Sequence, residues 1–434
     1  MRISILTFGT RGEIQPAVAL GVGLNKAGHA ARVVTSSDFR ALVTEHGLDF
    51  WPFRLDLSAM MNTFGQADWS NSGVLALRFV PMLLRTFGQA VEQITRDFWE
   101  ASQGADIAIG AAATDWIAGA VAEKLGIPFV DTCVLPFAPT RAFPAVLWPG
   151  ASFSGSAGGL RGELNLITYG LLGRLTWLGL RPLVNRCRRG VLGLPGLSFS
   201  RDRGWIQEKA VITLAGFSQL VLPRPAEWDA KIHITGSWFL DAPSGYTPPD
   251  DLRAFLEAGA PPVYIGFGSM PSKDPLETTA LVRRALRLAG RRGVLLTGKS
   301  ILGQGMARGE PSGDLFFLES APHAWLFPRM AAVAHHGGSG TTAAGLRAGV
   351  PSILVPFAAD QLLWAARVDA LGVGPNSIRR ARLTAERLAE AITQATGDRR
   401  MQERAAALGE KIRAEDGTGE AARLIADLTG FQNL

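Results

Sequence analysis

The chain has 434 residues, of which 47% are hydrophobic and 19% charged, and this length favours two domains that each bury a core. Its two cysteines exclude a disulfide scaffold and indicate a reducing compartment, so we expect a cytoplasmic protein. The net charge of +6 does not indicate nucleic-acid binding, because the arginines are scattered and three tyrosines are too few for base stacking.

The first half of the chain alternates apolar strand patterns with helical patterns. The apolar run at the N-terminus is too short for a signal peptide and is typical of a first β-strand. No window of the sequence approaches the roughly 20 apolar residues of a membrane-spanning helix. The alternation of strand and helix patterns predicts a parallel, doubly wound α/β sheet. The predicted elements are strands at 3–8, 31–37, 105–110 and 127–132, and helices at 16–28 and 116–125.

Near Pro223 the composition becomes rich in proline, glycine and aspartate, which is typical of a linker. The strand-and-helix pattern then starts again and predicts a second α/β unit. Ligands of such sheets bind at the carboxyl ends of the strands, so we expect the site in a cleft between the two domains. The predicted division is a first domain at 1–222, a linker and hinge at 223–250, a second domain at 251–405, and a helical segment at 406–434, for which packing on the first domain is one option.

The stretch HHGGSGTTAAGLRAGVPSILVPFAADQ, from His335 to Gln361, carries the strongest functional signal. Glycines and small hydroxyl residues precede a helical pattern, so backbone amides and the positive end of the helix dipole can hold a diphosphate. One strand later, the carboxylate of Asp360 and the amide of Gln361 can bind neighbouring sugar hydroxyls. The stretch therefore indicates a nucleotide-sugar site. The structural alternative is a capped helix with incidental glycines.

This stretch resembles the donor-binding signature of the family 1 nucleotide-sugar-dependent glycosyltransferases of GT-B fold. Other segments agree with the family in the same order, and the similarity is greatest to the branch of sterol and antibiotic-aglycone glycosyltransferases. These segments are GTRGEIQPAVALGVGL, AEKLGIPF, LPFAPTRAFP, NRCRRGVLGLP, FGSM and APHAWLFPRMAAVAHHGGSGTT. The resemblance covers nearly the whole chain and implies an α/β protein with two Rossmann-like doubly wound domains that face each other across a cleft. It also implies that the N-terminal domain at 1–222 binds the acceptor and that the C-terminal domain at 251–405 binds the nucleotide sugar.

The resemblance also implies an inverting, metal-independent transfer of glucose, or a related hexose, from a UDP-sugar to a hydroxyl of a hydrophobic acceptor. The UDP-sugar is a co-substrate, no cofactor or metal is expected, and dTDP stays open as the nucleotide. One of the two adjacent histidines should face the phosphate, and the backbone near Pro322 should bind the base. The predicted donor-binding residues are Ser269, Pro322, His323, His335, His336, Gly337, Gly338, Ser339, Gly340, Thr341, Asp360 and Gln361.

In the family, the catalytic base follows the first strand, and GTRGEIQP places Glu13 at this position. Related enzymes carry histidine or aspartate there, and such bases contribute about 10²- to 10⁴-fold to the rate. Asp115 matches an aspartate that orients the histidine in histidine-dependent members, although a helix cap is an equal alternative here. Arg11 could pair with Glu13 and weaken it as a base. The structural alternative for Glu13 is a first-turn acid that stabilises the helix dipole.

Residues 135–200 hold few acids and many apolar or basic side chains. The part at 166–196 is typical of a basic amphipathic helix, which can wall a lipophilic acceptor site, lie peripherally at an anionic membrane, or form core with its arginines in solvent. All three interpretations stay open. We predict acceptor contacts for a sterol, triterpene or polyketide from Trp69, Phe79, Phe137 and Trp177.

Two other functions are compatible with the same fold, namely a nucleotide-sugar epimerase and a non-catalytic nucleotide-sugar-binding protein. An epimerase needs paired acid and base groups at the sugar and no lipophilic acceptor region. A dinucleotide oxidoreductase is excluded, because no G-x-G-x-x-G follows the first strand and GTRGEI places an acid where pyrophosphate would lie.

Overall fold

A computed structural model describes residues 1–54, 90–111, 114–148, 151, 153, 159–200, 204–242, 245–267, 275–297, 313–357 and 359–428. The described residues form two compact units. The first comprises those up to Leu240 together with those from Asp416 onward, and the second comprises those from Asp241 to Glu415.

The first unit alternates strands with helices, and residues 90–101 are also helical. Its strands are β1 (Arg2–Thr7), β2 (Ala30–Thr35), β3 (Asp49–Pro52), β4 (Ile107–Ala111), β5 (Phe129–Cys133), β6 (Ala210–Ala215) and β7 (Ile232–Ile234). Its helices are α1 (Arg11–Lys26), α2 (Arg40–Thr44), α3 (Asp115–Leu125), α4 (Leu160–Gly190), α5 (Gly204–Lys209) and, at the end of the chain, α13 (Gly417–Asp427).

The seven strands of the first unit form a parallel sheet in the order β3-β2-β1-β4-β5-β6-β7. Both faces of the sheet are covered, which is why its strands are nearly continuous apolar runs. On one face Ile3 and Ile5 pack in a cluster with Ile14 of α1. On the other face Leu6 belongs to a cluster that contains Trp205 of α5. The sheet therefore has two hydrophobic cores.

Helix α1 begins five residues before the predicted position, so Pro16 lies inside it. The earlier start follows from the side chain of Thr10, which caps the helix. Within the stretch predicted as a linker, β7 pairs with β6 and so extends the first sheet. The last helix, α13, packs on α1, where a Cβ atom on Gly23 would lie 2.7 Å from the Cβ atom of Thr418.

The second unit holds a smaller sheet of the same kind. Its strands are β8 (Val263–Gly266), β9 (Gly293–Leu296), β10 (Leu315–Leu318), β11 (Ala332–His335) and β12 (Ser352–Leu354). Its helices are α6 (Asp250–Glu257), α7 (Pro275–Leu288), α8 (His323–Leu326), α9 (Ser339–Ala348), α10 (Asp360–Leu371), α11 (Ala385–Gly397) and α12 (Arg399–Arg413). The strands are parallel, in the order β10-β9-β8-β11-β12.

Close helix packing completes the second unit. Helix α12 lies against α9, and a Cβ atom on Gly409 would come within 2.6 Å of the Cα atom of Gly349. Residues 406–413 therefore pack in the second unit, although α13 packs in the first. Among the helices that the structure describes, none is both long and apolar enough to cross a bilayer.

Candidate functional site

Each sheet has one point at which its strand order reverses, and the predicted site residues follow the strands at these points. In the first sheet β2 and β3 extend from one side of β1, and β4 begins the other side. In the second sheet the reversal lies between β8 and β11. Ligands of open α/β sheets bind outside the strand ends at such reversals. The topology thus places Glu13 and Asp115 beyond neighbouring strands, and the glycine-rich stretch beyond β11.

Glu13 folds back over the start of α1 in a capping box. Its Oε2 atom accepts hydrogen bonds from the backbone N–H of Thr10 at 2.7 Å and from the Thr10 hydroxyl at 2.6 Å. Arg11 donates to Gln15 at 3.0 Å, and the ion pairs of the described residues do not join Arg11 to Glu13. The carboxylate therefore has a structural partner, and the family-based assignment as a base stays a prediction.

Asp115 is the first residue of α3 and is buried, with 8% of its surface exposed. The preceding Thr114 fixes this turn, because its hydroxyl oxygen lies 2.6 Å from the carbonyl oxygens of both Leu6 and Ala111. Thr114 thereby ties the end of β4 to the end of β1. The sequence offered one signal for Thr114, because a hydroxyl residue before a helix is common at helix N-termini, but this signal did not indicate its bonds to β1 and β4.

The predicted acceptor residues have different surroundings. Phe137 is half-buried in the loop after β5, which is the neighbour of β4 in the sheet. Trp177 of α4 is 1% exposed, its ring stacks on Trp116 with centroids 4.6 Å apart, and its Nε1–H donates to the backbone oxygen of Phe199 at 3.1 Å. Trp177 therefore packs in the core of the first unit. Trp69 and Phe79 lie outside the described residues.

His335, the last residue of β11, points inward. Its side chain is fully buried, and its Nδ1 atom accepts a hydrogen bond from the backbone N–H of Gly337 at 3.1 Å. Nε2 has no hydrogen-bond partner among the described residues and faces α9, where a Cβ atom on Gly345 would lie 4.0 Å away. Burial, with smaller contributions from His336 and His323, holds the pKa of His335 well below its ordinary value. The ring is therefore neutral, with its proton on Nε2.

His336 is the histidine that borders the glycine loop. Its ring is roughly perpendicular to that of His335, and a Cβ atom on Gly338 would lie 2.7 Å from its Nε2 atom. Burial lowers the pKa of His336 to about 4. At neutral pH this side chain thus offers a phosphate a hydrogen bond but no full positive charge.

The positive potential at the loop comes from α9. Gly338 is the N-cap of this helix, and no side chain caps it. Ser339, Gly340 and Thr341 form its first turn, where backbone amides lack helical partners and attract anions. Gly340 is exposed, and Ser339 and Thr341 are half-buried. Ser269, which would follow β8, lies outside the described residues.

The acid–amide pair lies at the start of α10, in contact with the glycine loop. A Cβ atom on Gly337, whose φ is +91°, would lie 3.2 Å from the backbone oxygen of Gln361. Gln361 is 7% exposed, and its Oε1 atom accepts from the backbone N–H of Phe357 at 2.8 Å. Asp360 is half-buried beside it. The glycine loop predicted for the diphosphate and the start of α10 predicted for the sugar therefore pack closely against each other.

Ala359 has an unusual backbone at the N-cap of α10. Its φ of 56° and ψ of −132° make it the one non-glycine residue with positive φ among those that the structure describes. Such a conformation costs about 1–3 kcal/mol for a residue with a Cβ atom. No feature of the sequence indicated it, because alanine normally avoids positive φ.

The segment predicted to bind the base lies after β10. Pro322 is the N-cap of α8, and the ring of His323 stacks on Phe327 with centroids 4.3 Å apart. Both rings also lie against Tyr264 of β8, with centroids 6.0 Å and 4.9 Å away, so α8 packs beside the sheet. Among the described residues, no group of three or more histidine, cysteine, aspartate or glutamate side chains is arranged to hold a metal ion.

Comparisons with known proteins identify both halves of the chain. Residues 3–144 match the Glycosyltransferase family 28 N-terminal domain, and residues 314–428 match the Erythromycin biosynthesis protein CIII-like, C-terminal domain. A sterol 3-beta-glucosyltransferase of Cryptococcus neoformans is 36% identical over 448 residues, which cover 98% of this chain and 27% of that protein. The chain thus spans about a quarter of the length of this relative.

Solved structures agree with the topology. The kitacinnamycin glycotransferase matches with a TM-score of 0.70 and 19% identity and covers 98% of each chain. The calicheamicin glycosyltransferase CalG4 matches with a TM-score of 0.67 and 18% identity over 99% of this chain and 98% of that chain. The predicted GT-B architecture with two parallel α/β sheets is confirmed. The chain has the GT-B fold, and it combines a segment that matches the glycosyltransferase family 28 N-terminal domain with a segment that matches the erythromycin biosynthesis protein CIII-like C-terminal domain.

Proposed function

We propose that this chain is an inverting glycosyltransferase that moves glucose, or a related hexose, from a UDP-sugar to a hydroxyl of a sterol or a similar hydrophobic aglycone. The glucose donor and the sterol acceptor are suggested by the sterol 3-beta-glucosyltransferases among its relatives. In the reaction, the acceptor oxygen bonds to the anomeric carbon while the bond from that carbon to the diphosphate breaks. The nucleoside diphosphate leaves with the electron pair, and the acceptor proton passes to a base.

The observation that carries the proposal is the contact between the glycine loop and the acid–amide pair. Gly337 packs on the backbone of Gln361, so a diphosphate at the first turn of α9 and a sugar at Asp360 would be neighbours, as they are in a nucleotide sugar. The helix amides stabilise charge that develops on the leaving diphosphate, and they supply this without a metal ion. We therefore expect transfer to continue when divalent cations are removed.

Glu13 is the proposed base. The hydrogen bonds to Thr10 restrain its carboxylate through Oε2, so the Oε1 atom is the one that would take the acceptor proton. Restraint favours catalysis, because a base contributes most when its geometry is fixed before the substrate binds. We propose Asp115 as a residue that shapes the same strand-end region, since α3 begins there beside β1.

A non-catalytic nucleotide-sugar-binding protein is the second candidate. It is favoured by the same capping box, because a glutamate at the third helical position is common for reasons of helix stability alone. In that case the donor would bind to the second unit and no transfer would follow. Both candidates predict that the donor binds, but only the glycosyltransferase predicts transfer of the sugar.

The test is to incubate the chain with UDP-glucose or dTDP-glucose and a pool of sterols, triterpenes and macrolides in EDTA, and to search for hexose adducts by mass spectrometry. An adduct of inverted anomeric configuration is expected. Donor binding without an adduct would favour the binding protein, and isomerised donor in the absence of acceptor would favour an epimerase. Loss of the adduct with EDTA and its return with Mg²⁺ would contradict metal independence.

A further inference from the structure

Helix α4 carries an apolar stripe on its exposed face. The stripe follows spacings of three and four residues, so its members lie on one side of the helix over about 27 Å. Leu160 is 78% exposed and Leu178 is 61% exposed, although large apolar side chains are normally covered. The leucine stripe consists of Leu160, Leu164, Ile167, Leu171, Leu175 and Leu178.

The opposite face of α4 is held firmly in the first unit. Trp177 stacks on Trp116, and the buried guanidinium of Arg188 donates two hydrogen bonds of 3.1 Å to Glu123. Arg188 also lies 5.2 Å above the ring of Trp205. The leucine stripe is therefore a fixed feature of a well-packed helix, and its exposure does not result from loose packing.

The charges of α4 are mostly positive. The helix contains six arginines and a single acid, Glu163, which pairs with Arg141 at 3.1 Å. Arg174 and Arg181 lie four residues before and three residues after Leu178, so they border the leucine stripe. Arg181 is half-buried and donates to the backbone oxygen of Leu197 at 3.1 Å. Arg174 is exposed and makes no ion pair with a described residue. An apolar stripe bordered by arginines complements a surface that is apolar inside and negatively charged outside.

We infer that α4 lies along the surface of an anionic lipid bilayer, with the leucine stripe inserted at the boundary between headgroups and acyl chains. A helix of this pattern binds in the plane of the interface through its apolar face, and arginines at its border attract anionic headgroups. A second copy of the chain fits less well, because two such stripes packed together would bring the exposed Arg174 of each copy towards the other, and Arg174 has no acidic partner among the described residues. The inference is independent of the proposed transfer reaction.

The experiment is co-sedimentation of the full chain with vesicles, without donor or acceptor. Vesicles of phosphatidylcholine with phosphatidylglycerol are compared with vesicles of phosphatidylcholine alone. We expect binding to the anionic vesicles, weaker at high salt, and little binding to the neutral ones. Removing two leucines by the double change Leu164→Gln and Leu171→Gln should weaken binding about a hundredfold. Arg174→Gln should weaken it about fivefold on anionic vesicles.

The matched control replaces two exposed apolar residues of the same unit that lie outside α4, by Val211→Gln and Leu220→Gln. This variant should bind vesicles as the unchanged chain does, and the thermal unfolding of all variants should be compared to show that they fold. Failure of the unchanged chain to bind anionic vesicles would overturn the inference. Equal binding by the stripe variant would also overturn it. A lipid-free dimer that the stripe variant abolishes would assign the stripe to self-association instead.

Discussion

Gly337 and Gln361 are in direct contact, although 23 positions separate them in the printed sequence, and this contact joins the two halves of the proposed donor site. The contact depends on the absence of a side chain at Gly337, whose φ of +91° is also unfavourable for any other residue. The backbone of Gln361 cannot move away freely, because its side chain is buried and bonded to the backbone of Phe357. The geometry of the diphosphate loop is therefore coupled to that of the sugar-binding pair.

The substitution Gly337→Ala should damage donor binding more than it damages the fold. The added Cβ atom would lie 3.2 Å from the backbone oxygen of Gln361, and the positive φ adds about 1–2 kcal/mol of strain. We expect the KM for donor to rise at least about tenfold, with a smaller change in kcat, because the loop would shift away from the phosphate. Steady-state kinetics and chemical denaturation measure the two effects.

The matched control is Gly397→Ala, at the end of α11 in the same unit. A Cβ atom there would meet nothing within 4 Å, and the residue has no positive φ. This variant should retain the donor KM and gain a few tenths of a kcal/mol in the free energy of unfolding. An unchanged KM in Gly337→Ala would show that the contact with Gln361 has no role in donor binding.

Ala359→Gly should stabilise the chain, in contrast to most changes from alanine to glycine. Relief of the positive φ favours the folded state by about 1–3 kcal/mol, and the greater freedom of glycine in the unfolded chain offsets about 0.5–1 kcal/mol of this. We expect a net rise of about 1 kcal/mol in the free energy of unfolding. The control Ala366→Gly, in the middle of α10, should lower it by about 1 kcal/mol. Equal losses in both variants would show that Ala359 is not strained.

Sequence patterns predicted the parallel sheets and the position of the glycine loop, because both depend on local features such as apolar runs and glycine spacing. Helix α1 begins five residues before the predicted position, even though Thr10 and Glu13 have the spacing of a capping box. The later start was favoured by Pro16, because proline is typical of a first helical turn. The orientation of His335 could not be predicted. Adjacent side chains on a strand point to opposite faces, and the sequence does not tell which face the helix covers.

The role of Glu13 can be separated from its capping function by three variants. Glu13→Gln keeps an oxygen that accepts from Thr10, so the free energy of unfolding should change by less than about 0.5 kcal/mol while kcat falls about 10²- to 10⁴-fold. Thr10→Ala keeps the carboxylate but removes the cap and should cost about 1 kcal/mol. Glu13→Ala should show both losses.

Measurement of kcat and of the urea midpoint for each variant distinguishes these effects. If Glu13→Gln transfers sugar as fast as the unchanged chain, Glu13 is a helix-capping residue and the base lies elsewhere. A large loss of kcat in Thr10→Ala alone would show that the hydrogen bonds which restrain the carboxylate are required for transfer.

The stability of the second unit should decrease in acid because of His335 and His336, whose pKa values are lowered by loss of solvent. Burial holds the pKa of His336 at about 4 and that of His335 lower than its ordinary value, whereas both side chains in the unfolded chain titrate near 6.5. Protons therefore bind more strongly to the unfolded state, and the stability present above about pH 6.5 is lost as the pH falls towards 4. The contribution of His336 to this loss should be about 1–3 kcal/mol.

His336→Gln removes this titration and keeps a side chain that can donate a hydrogen bond to phosphate. Urea unfolding of both proteins between pH 7 and pH 4.5 should therefore give a steeper loss of stability for the unchanged chain. Parallel curves would contradict the depressed pKa of His336. An anionic diphosphate beside the ring favours its protonated form, so saturating UDP should reduce the acid-induced loss in the unchanged chain more than in His336→Gln. A UDP effect of equal size in both proteins would place the diphosphate away from His336.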